Sequence, residues 1–133
     1  MANAVYPDGK DAILEGEIDL LDDTIKVVVC SSTYTYDSGD TYVDDLSGVL
    51  ATSGALASKT VSAGVFDAAD VDFASVTGTI ERWILIKDTG DTATSPLIAY
   101  FDTKTGSAAI DSGALAAAPY TIQWDASGIL SIA

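Results

Sequence analysis

The sequence predicts a mostly β protein: an antiparallel β-sandwich or jelly-roll-like fold with a short N-terminal helix. About eight short runs are rich in β-branched and aromatic residues, and glycines separate many of them. No apolar stretch is long enough for the helix that joins parallel strands in α/β proteins. Because 133 residues is the size of one ordinary domain, we expect a single β-sandwich over residues 1–133.

The segment from Thr79 to Thr103 is predicted to form the centre of the sandwich. It contains two apolar strands that flank a polar, turn-rich connection. Alternation along the first strand separates Trp83, Leu85 and Lys87 from Arg82, Ile84 and Ile86. In the second strand it separates Ile98 and Tyr100 from Leu97, Ala99 and Phe101. The residues expected to be most deeply buried are Ile84, Ile86, Ile98 and Tyr100.

This pair of strands is apolar on both faces, which predicts that both faces are covered. One cover should be the second layer of the domain. The other could be a loop, a helix or another protein chain, and the N-terminal residues Ala12 to Leu14 are one internal candidate.

The remaining elements follow from turn residues and apolar patterns. Pro7 and Asp8 predict a helix start, and Gly16 predicts its end. Thr24 to Cys30 is β-branched and predicts a strand, and Tyr42 to Leu46 allows a helical turn. Further short strands are expected in VLATS, ALASKTVSA, GVFDA, VDFAS, TIQWD and GILSIA. In the last two, Ile122 and Trp124 should face inward beside Tyr120, and Leu130 should share a face with Ile132. The stretch from Lys104 to Pro119 is predicted to be a loop of small residues.

Charge and residue usage exclude several classes of function. The net charge of −14 opposes binding to nucleic acid and to anionic membranes, and it makes identical copies repel one another. The chain has no histidine, so it cannot form a Ser-His-Asp or Cys-His triad. Its single cysteine, Cys30, lies in the apolar run IKVVVC, which favours a buried thiol over a nucleophile. We therefore expect no enzyme, no catalytic residues and no cofactor. We also see no signal peptide or membrane-spanning segment, and expect synthesis in the cytoplasm.

Two clusters of aspartates are the candidate metal ligands. The first contains Asp37, Asp40, Asp44 and Asp45, and the second contains Asp67, Asp70 and Asp72. Neither has the spacing of a helix–loop–helix calcium site, so solvated surface is the expected role and no metal site is predicted.

Three further features have a structural and a functional interpretation. Trp83 and Trp124 could stack on a sugar, although their strand context favours the core. Arg82, the only arginine, needs a partner within the fold or across an interface. The connection after Lys87, with the sequence DTGDTATSP, is either a surface contact loop or a hairpin connection, and the latter is favoured.

Several short motifs follow one another along the chain: NAVY, IDLLDDTIKVVV, GVFDAADVDFASVTG, IKDTG, TSPLIAYFDT followed by Thr105-Gly106, and IQWD. Their order resembles small structural proteins from the virions of tailed bacteriophages. The resemblance covers nearly the whole chain. It implies a β-rich, non-enzymatic subunit present in many copies, similar to the decoration or cement proteins of phage heads.

The resemblance implies a head decoration protein that bridges major capsid subunits on the surface of the virion. Its partners would be the major capsid protein and copies of itself, with a trimer as one arrangement. A tail, neck or head-fibre component is an alternative from the same class. A glycan-binding β-sandwich module that uses Trp83 or Trp124 and a calcium-bearing acidic loop is an alternative from another class. The sequence does not define which residues form the interface.

Overall fold

The computed structural model describes residues 3–104, 108–125 and 127–131, and it confirms the predicted antiparallel, mostly β fold with one short helix. The helix α1 spans Pro7–Leu14, and a 3₁₀ turn spans Val43–Asp45. The strands are β1 (Ala4–Val5), β2 (Ile25–Cys30), β3 (Val49–Thr52), β4 (Thr60–Ser62), β5 (Val65–Asp67), β6 (Val71–Thr79), β7 (Arg82–Lys87), β8 (Leu97–Phe101), β9 (Thr103–Lys104), β10 (Ala108–Ala109), β11 (Ala114–Ile122) and β12 (Leu130–Ser131). Ile132 lies outside the described residues, so its predicted face is not tested.

The first layer is a five-stranded sheet with the order β1-β8-β7-β2-β3. The central strands β2 and β7 pair without interruption from Ile25–Lys87 to Cys30–Arg82. Both strands consist largely of β-branched and other bulky apolar residues, which suit a sheet that is buried on both faces. This sheet is the framework that positions the other elements.

The second layer contains the β6–β11 ribbon and a three-stranded sheet with the order β12-β5-β4. The main core lies between the layers, where side chains from both meet in one cluster. From the five-stranded sheet this cluster includes Ile25, Val27, Val29, Trp83, Leu85 and Ile98. From the second layer it includes Phe66, Val71, Phe73, Val76, Ile122 and Leu130. The predicted sandwich therefore has its core where the alternating strand patterns place it.

Residues 31–46, which we call the covering segment, lie over the outer face of the five-stranded sheet. Tyr34, Tyr36, Val43 and Leu46 of this segment pack, together with Tyr6, against a second apolar cluster. The sheet residues in that cluster are Val28, Cys30, Ile84, Ile86, Leu97 and Tyr100. The predicted second cover is thus a loop of the same chain.

Helix α1 does not supply that cover, so the suggested role of Ala12 to Leu14 is wrong. Ala12 belongs to the core between the layers, and Leu14 is 77% exposed. The helix instead packs beside β8, where Gly9 contacts the strand backbone at Leu97 and Ile98. Its predicted start at Pro7 is confirmed, and Gly16 has a positive φ of 80° just beyond its end.

A β-bulge in β8 changes which residues share a face. Ile86 pairs with Leu97 and Leu85 pairs with Ala99, which leaves Ile98 as the extra residue. As a result Tyr100 lies with Leu97 in the outer cluster, whereas Ile98 lies in the core between the layers. The predicted strict alternation of β8 is therefore wrong. The burial of Ile84, Ile86, Ile98 and Tyr100 is confirmed, with exposures of 0–3%.

The predicted loop from Lys104 to Pro119 is also wrong, because β11 begins at Ala114 and pairs with β6. Register shifts between Leu115 and Ala118 and between Ala118 and Tyr120 interrupt the ladder. Alanine has a low preference for strands, and the shifts break the period of two, so the sequence pattern does not indicate this strand.

Candidate functional site

The two tryptophans come together at one end of the sandwich, where the layers leave a cleft. Trp83 is the second residue of β7 and pairs with Phe101 of β8, and Trp124 follows the end of β11. Trp83 is 5% exposed and belongs to the core, as its strand pattern favours. Trp124 is half-buried and packs at the edge of that core. The two rings therefore have different environments, and Trp124 is the one that reaches the surface.

Ring contacts and hydrogen bonds hold this aromatic group in place. Trp83 and Trp124 meet edge to face, with ring centroids 5.9 Å apart and planes at 84°, a preferred geometry for aromatic pairs. Phe101 contacts Trp124 at 6.2 Å between centroids. The Trp83 Nε1–H donates to the Tyr120 hydroxyl at 3.1 Å, and the Trp124 Nε1–H donates to the Ala69 carbonyl at 3.2 Å. Both indole N–H groups are thus satisfied within the protein.

Two adjoining cavities flank Trp124. The larger has a volume of about 760 Å³ and the smaller about 280 Å³. Four residues line both cavities, namely Trp83, Lys104, Gln123 and Trp124. We call the two cavities together the tryptophan cleft. The larger cavity falls within the usual range of small-molecule sites, about 300–1,000 Å³.

The charged side chains of the tryptophan cleft are mainly carboxylates. Asp70 and Asp111 line the larger cavity and Asp125 the smaller one, against the single cation Lys104. Asp70 Oδ1 also accepts from the Trp124 backbone N–H at 3.3 Å. Burial raises the pKa of the Tyr120 hydroxyl, and its hydrogen bond from Trp83 partly offsets that rise. At neutral pH the cleft is therefore acidic, with a neutral phenol at its inner edge.

Sequence reasoning identified the two tryptophans but not the cleft. Asp70 lies in a predicted acidic cluster. Tyr120 is predicted only to lie beside Ile122 and Trp124, the residues expected to face inward, and the sequence assigns it no role in a site. Asp111 lies in a stretch that was predicted to be a featureless loop. The motif TIQWD holds Gln123 and Trp124 side by side, and it is the one sequence feature that marks the site.

Aspartates of the two predicted clusters bond to separate parts of the chain rather than forming a common centre. Asp45 Oδ2 accepts the backbone N–H groups of Thr41 and Tyr42, at 2.8 and 3.0 Å. Asp37 Oδ1 accepts from Gly39 at 2.8 Å, and Asp72 Oδ1 accepts from the Thr121 hydroxyl at 2.7 Å. Within the described ranges, no group of three or more Asp, Glu or Cys side chains is arranged to hold a metal ion.

Four tyrosines meet where the covering segment packs on the sheet: Tyr34 and Tyr36 of the segment with Tyr6 and Tyr100. The hydroxyls of Tyr6 and Tyr34 share a hydrogen bond of 2.7 Å, and the Tyr34 hydroxyl donates to Asp40 Oδ2 at 2.7 Å. Burial, the largest cause in each case, raises the pKa of both hydroxyls. The Arg82 Nε–H donates to the Tyr34 carbonyl at 3.2 Å. This arginine therefore has at least one of its predicted partners within the fold. These contacts fix the covering segment to the sheet.

The pH dependence of stability should differ in sign between two neighbouring aspartates. Burial raises the pKa of Asp40, with Asp37 and Asp45 adding repulsion, so ionised Asp40 lowers native stability above its folded pKa. Backbone N–H groups of Tyr42 and Thr41 lower the pKa of Asp45, so ionised Asp45 raises stability, an effect lost as pH falls through its folded pKa. At pH 7 we expect Asp40→Asn to raise the melting temperature and Asp45→Asn to lower it.

Calorimetric melting of the wild type and both variants, at about pH 7 and about pH 3, tests this expectation. Below the ordinary aspartate pKa of about 3.9 the carboxyls are protonated in the unfolded state, so both differences should shrink. Shifts of the same sign at pH 7, or differences that persist unchanged at the lower pH, would contradict the assignment.

Cys30 should be unreactive in the native protein. Its side chain is fully buried in the outer cluster, and burial raises the pKa of the thiol to about 12. Because the thiolate is the nucleophile, a thiol reagent at pH 8 should modify Cys30 only after the protein is unfolded. The measurement is the extent of labelling with and without denaturant, and rapid labelling of the native protein would show that the covering segment opens readily.

The connection between β7 and β8 is a hairpin connection, as the sequence favours, since the two strands pair directly. Ion pairs hold its start: Lys26 contacts Asp88 at 2.6 Å and Lys87 contacts Asp23 at 3.1 Å. Whether it also contacts a partner stays a prediction.

Comparison with known proteins assigns neither a family nor a function to this chain. No protein-family model matches the chain, and no curated protein or solved structure matches it either. Among the helices of the described residues, none is long and apolar enough to cross a membrane.

Proposed function

We propose that this chain is a head decoration (cement) protein of a tailed bacteriophage, which binds major capsid subunits on the outside of the virion and stabilises the shell. The sequence resemblance suggests this function. The structural observation that supports it is the open edge of β11. Among the described residues β11 pairs with β6 alone, so the backbone groups on its other side are free to pair with another chain.

The open edge of β11 carries no charged residue. Natural proteins place charged residues on such edges to prevent pairing with other chains. The nine residues ALAAAPYTI contain no charge, although the whole chain has 20 acidic and 6 basic residues. Pro119 is the one residue of β11 that cannot donate a backbone hydrogen bond. Pro119 and the register shifts of β11 limit the length of such pairing, but its uncharged, open edge can still accept a short strand of a capsid subunit.

A second exposed surface lies at the edge strand β4. Val61 is 50% exposed there, and it borders a shallow apolar groove of about 100 Å³ with Leu20, Phe66 and Leu130. Burial of apolar surface contributes roughly 25 cal/mol per Å² before the costs of association. Many copies on one particle would add multivalency, so modest contacts at β4 and β11 can suffice.

A census of purified phage particles by quantitative mass spectrometry tests the proposal. A decoration protein should appear in hundreds of copies per particle. A copy number of tens or fewer would favour the tail, neck or head-fibre alternative. If the chain occurs in lysate but never in purified particles, the virion proposal is wrong.

The interface can be tested with two variants of equal charge change. Ala116→Lys places a charge on the open edge of β11, whereas Ala93→Lys places one on the exposed β7–β8 connection. We expect the first variant to be lost from particles on washing and the second to stay bound. Because each copy carries −14, both should bind less well at low ionic strength. Equal retention of the two variants would exclude β11 as the contact.

A further inference from the structure

We infer that the tryptophan cleft binds a neutral oligosaccharide, with the ring of Trp124 as the surface on which a sugar stacks. This inference stands apart from the proposed role in the virion. It rests on one juxtaposition: a half-buried tryptophan residue flanked by two cavities, within a polar border that contains three carboxylates and an amide.

Trp124, rather than Trp83, is suited to stacking. Trp83 also lines both cavities, but it is only 5% exposed and belongs to the core. The Trp124 ring lines both cavities, and its position is fixed before any ligand arrives. Its backbone N–H is held by Asp70, its indole N–H by Ala69, and its ring by the edge-to-face contact with Trp83. A rigid aromatic surface loses little conformational entropy on binding.

The chemistry of the Trp124 ring matches the apolar side of a sugar. The face of an aromatic ring is electron-rich, so it attracts the weakly positive C–H groups of a pyranose. Because the indole N–H is already bonded to Ala69, the ring contributes through its face and not through a hydrogen bond.

The polar border of the cleft suits a ligand whose groups both donate and accept hydrogen bonds. Asp70, Asp111 and Asp125 supply carboxylates, and Gln123 supplies an amide beside the ring. The hydroxyl groups of a sugar can donate to such acceptors. A proline-rich peptide, which also docks on aromatic grooves, offers mainly carbonyl acceptors and would leave the three carboxylates without donors from the ligand. The excess of carboxylates over Lys104, together with the charge of −14, opposes phosphates and acidic sugars.

Isothermal titration calorimetry with the full chain tests the inference. The probes are maltohexaose, cellohexaose and chitohexaose as neutral saccharides, an oligogalacturonate as an acidic one, and a proline decapeptide. We expect saturable, millimolar or tighter binding of at least one neutral probe, and no binding of the acidic probe or the peptide. Affinity should be equal in calcium chloride and in EDTA, because the acceptors bond the hydroxyls directly.

Substitutions then assign the binding to the cleft. Trp124→Ala should weaken it by about tenfold or more. Gln123→Ala, at an exposed side chain that lines both cavities, should weaken it by about two- to tenfold without disturbing the core. Tyr42→Ala, at a 41% exposed aromatic residue outside the cleft, is the control and should leave it unchanged. Failure of all three neutral probes, preference for the peptide or the acidic probe, or binding that Gln123→Ala and Trp124→Ala leave intact would overturn the inference.

Discussion

Replacing Leu85 with alanine should lower the free energy of unfolding by about 2–5 kcal/mol, the usual cost of a leucine deletion in a core. Leu85 has no exposed surface, and it lies between Val27 and Ala99 on the neighbouring strands of the five-stranded sheet. Strands on both sides limit how far the site can collapse, so a cavity should remain. Since domains of this kind are stable by about 5–15 kcal/mol, the loss is a large fraction of the total.

The matched control for this substitution is Leu14→Ala. Leu14 is the last residue of α1 and is 77% exposed, so the same chemical change should alter stability by about 0.5 kcal/mol or less. Urea unfolding with linear extrapolation measures both variants. Similar losses in the two proteins would mean that Leu85 does not lie at the centre of the core.

Replacing Gly9 with alanine should destabilise the protein by about 1–3 kcal/mol, although alanine normally favours a helix over glycine. A Cβ at position 9 would lie 2.5 Å from the Leu97 carbonyl oxygen, and 3.1 Å from the Ile98 Cα. These are backbone atoms of β8, so they cannot turn aside as a flexible side chain could. The helix would have to move away from the sheet, which also strains the hydrogen bond from the Tyr6 N–H to the Ile98 carbonyl.

Gly54→Ala provides the control for that prediction. A Cβ at position 54 would meet no atom within 4 Å, and Gly54 does not have a positive φ. Alanine there reduces the freedom of the unfolded chain, so stability should be unchanged or should rise by up to about 1 kcal/mol. Thermal and urea unfolding of both variants measure the contrast. A stabilising Gly9→Ala would show that α1 does not pack closely on β8.

The sequence predicts the local elements of this fold better than their long-range arrangement. The apolar, β-branched residues of β2 and β7 indicate a buried strand pair directly, because burial on both faces removes the polar alternation. The bulge at Ile98 has no such local mark, since it arises where β8 adjusts to its neighbour. Strand β11 is hidden for a related reason. Its alanines do not favour a strand, and its pairing with β6 stabilises it instead.

The tryptophan cleft was predictable only in part. Trp83 and Trp124 were recognised as possible sugar-stacking residues, but their strand context gave both the same expected burial. The difference in exposure between Trp83 and Trp124 depends on where β11 ends relative to β7. That relation is set by the tertiary structure and not by the local sequence. The convergence of Asp70, Asp111 and Gln123 around Trp124 joins residues that are far apart in the chain. No local pattern could reveal it.

The pairing of β1 with β8 has a consequence for how this protein forms during its synthesis. Ala4 and Val5 pair with Tyr100 and Ala99, and the side chain of Asn3 accepts from the backbone of Asp102 at 2.9 Å. On the ribosome, β1 therefore has no partner strand until about 100 further residues have been made. Contacts of such long sequence separation are reached slowly, because the loop must close before they contribute. The newly made chain should complete its central sheet late, and chaperones would have a long interval in which to meet β2 and β7 while they are exposed.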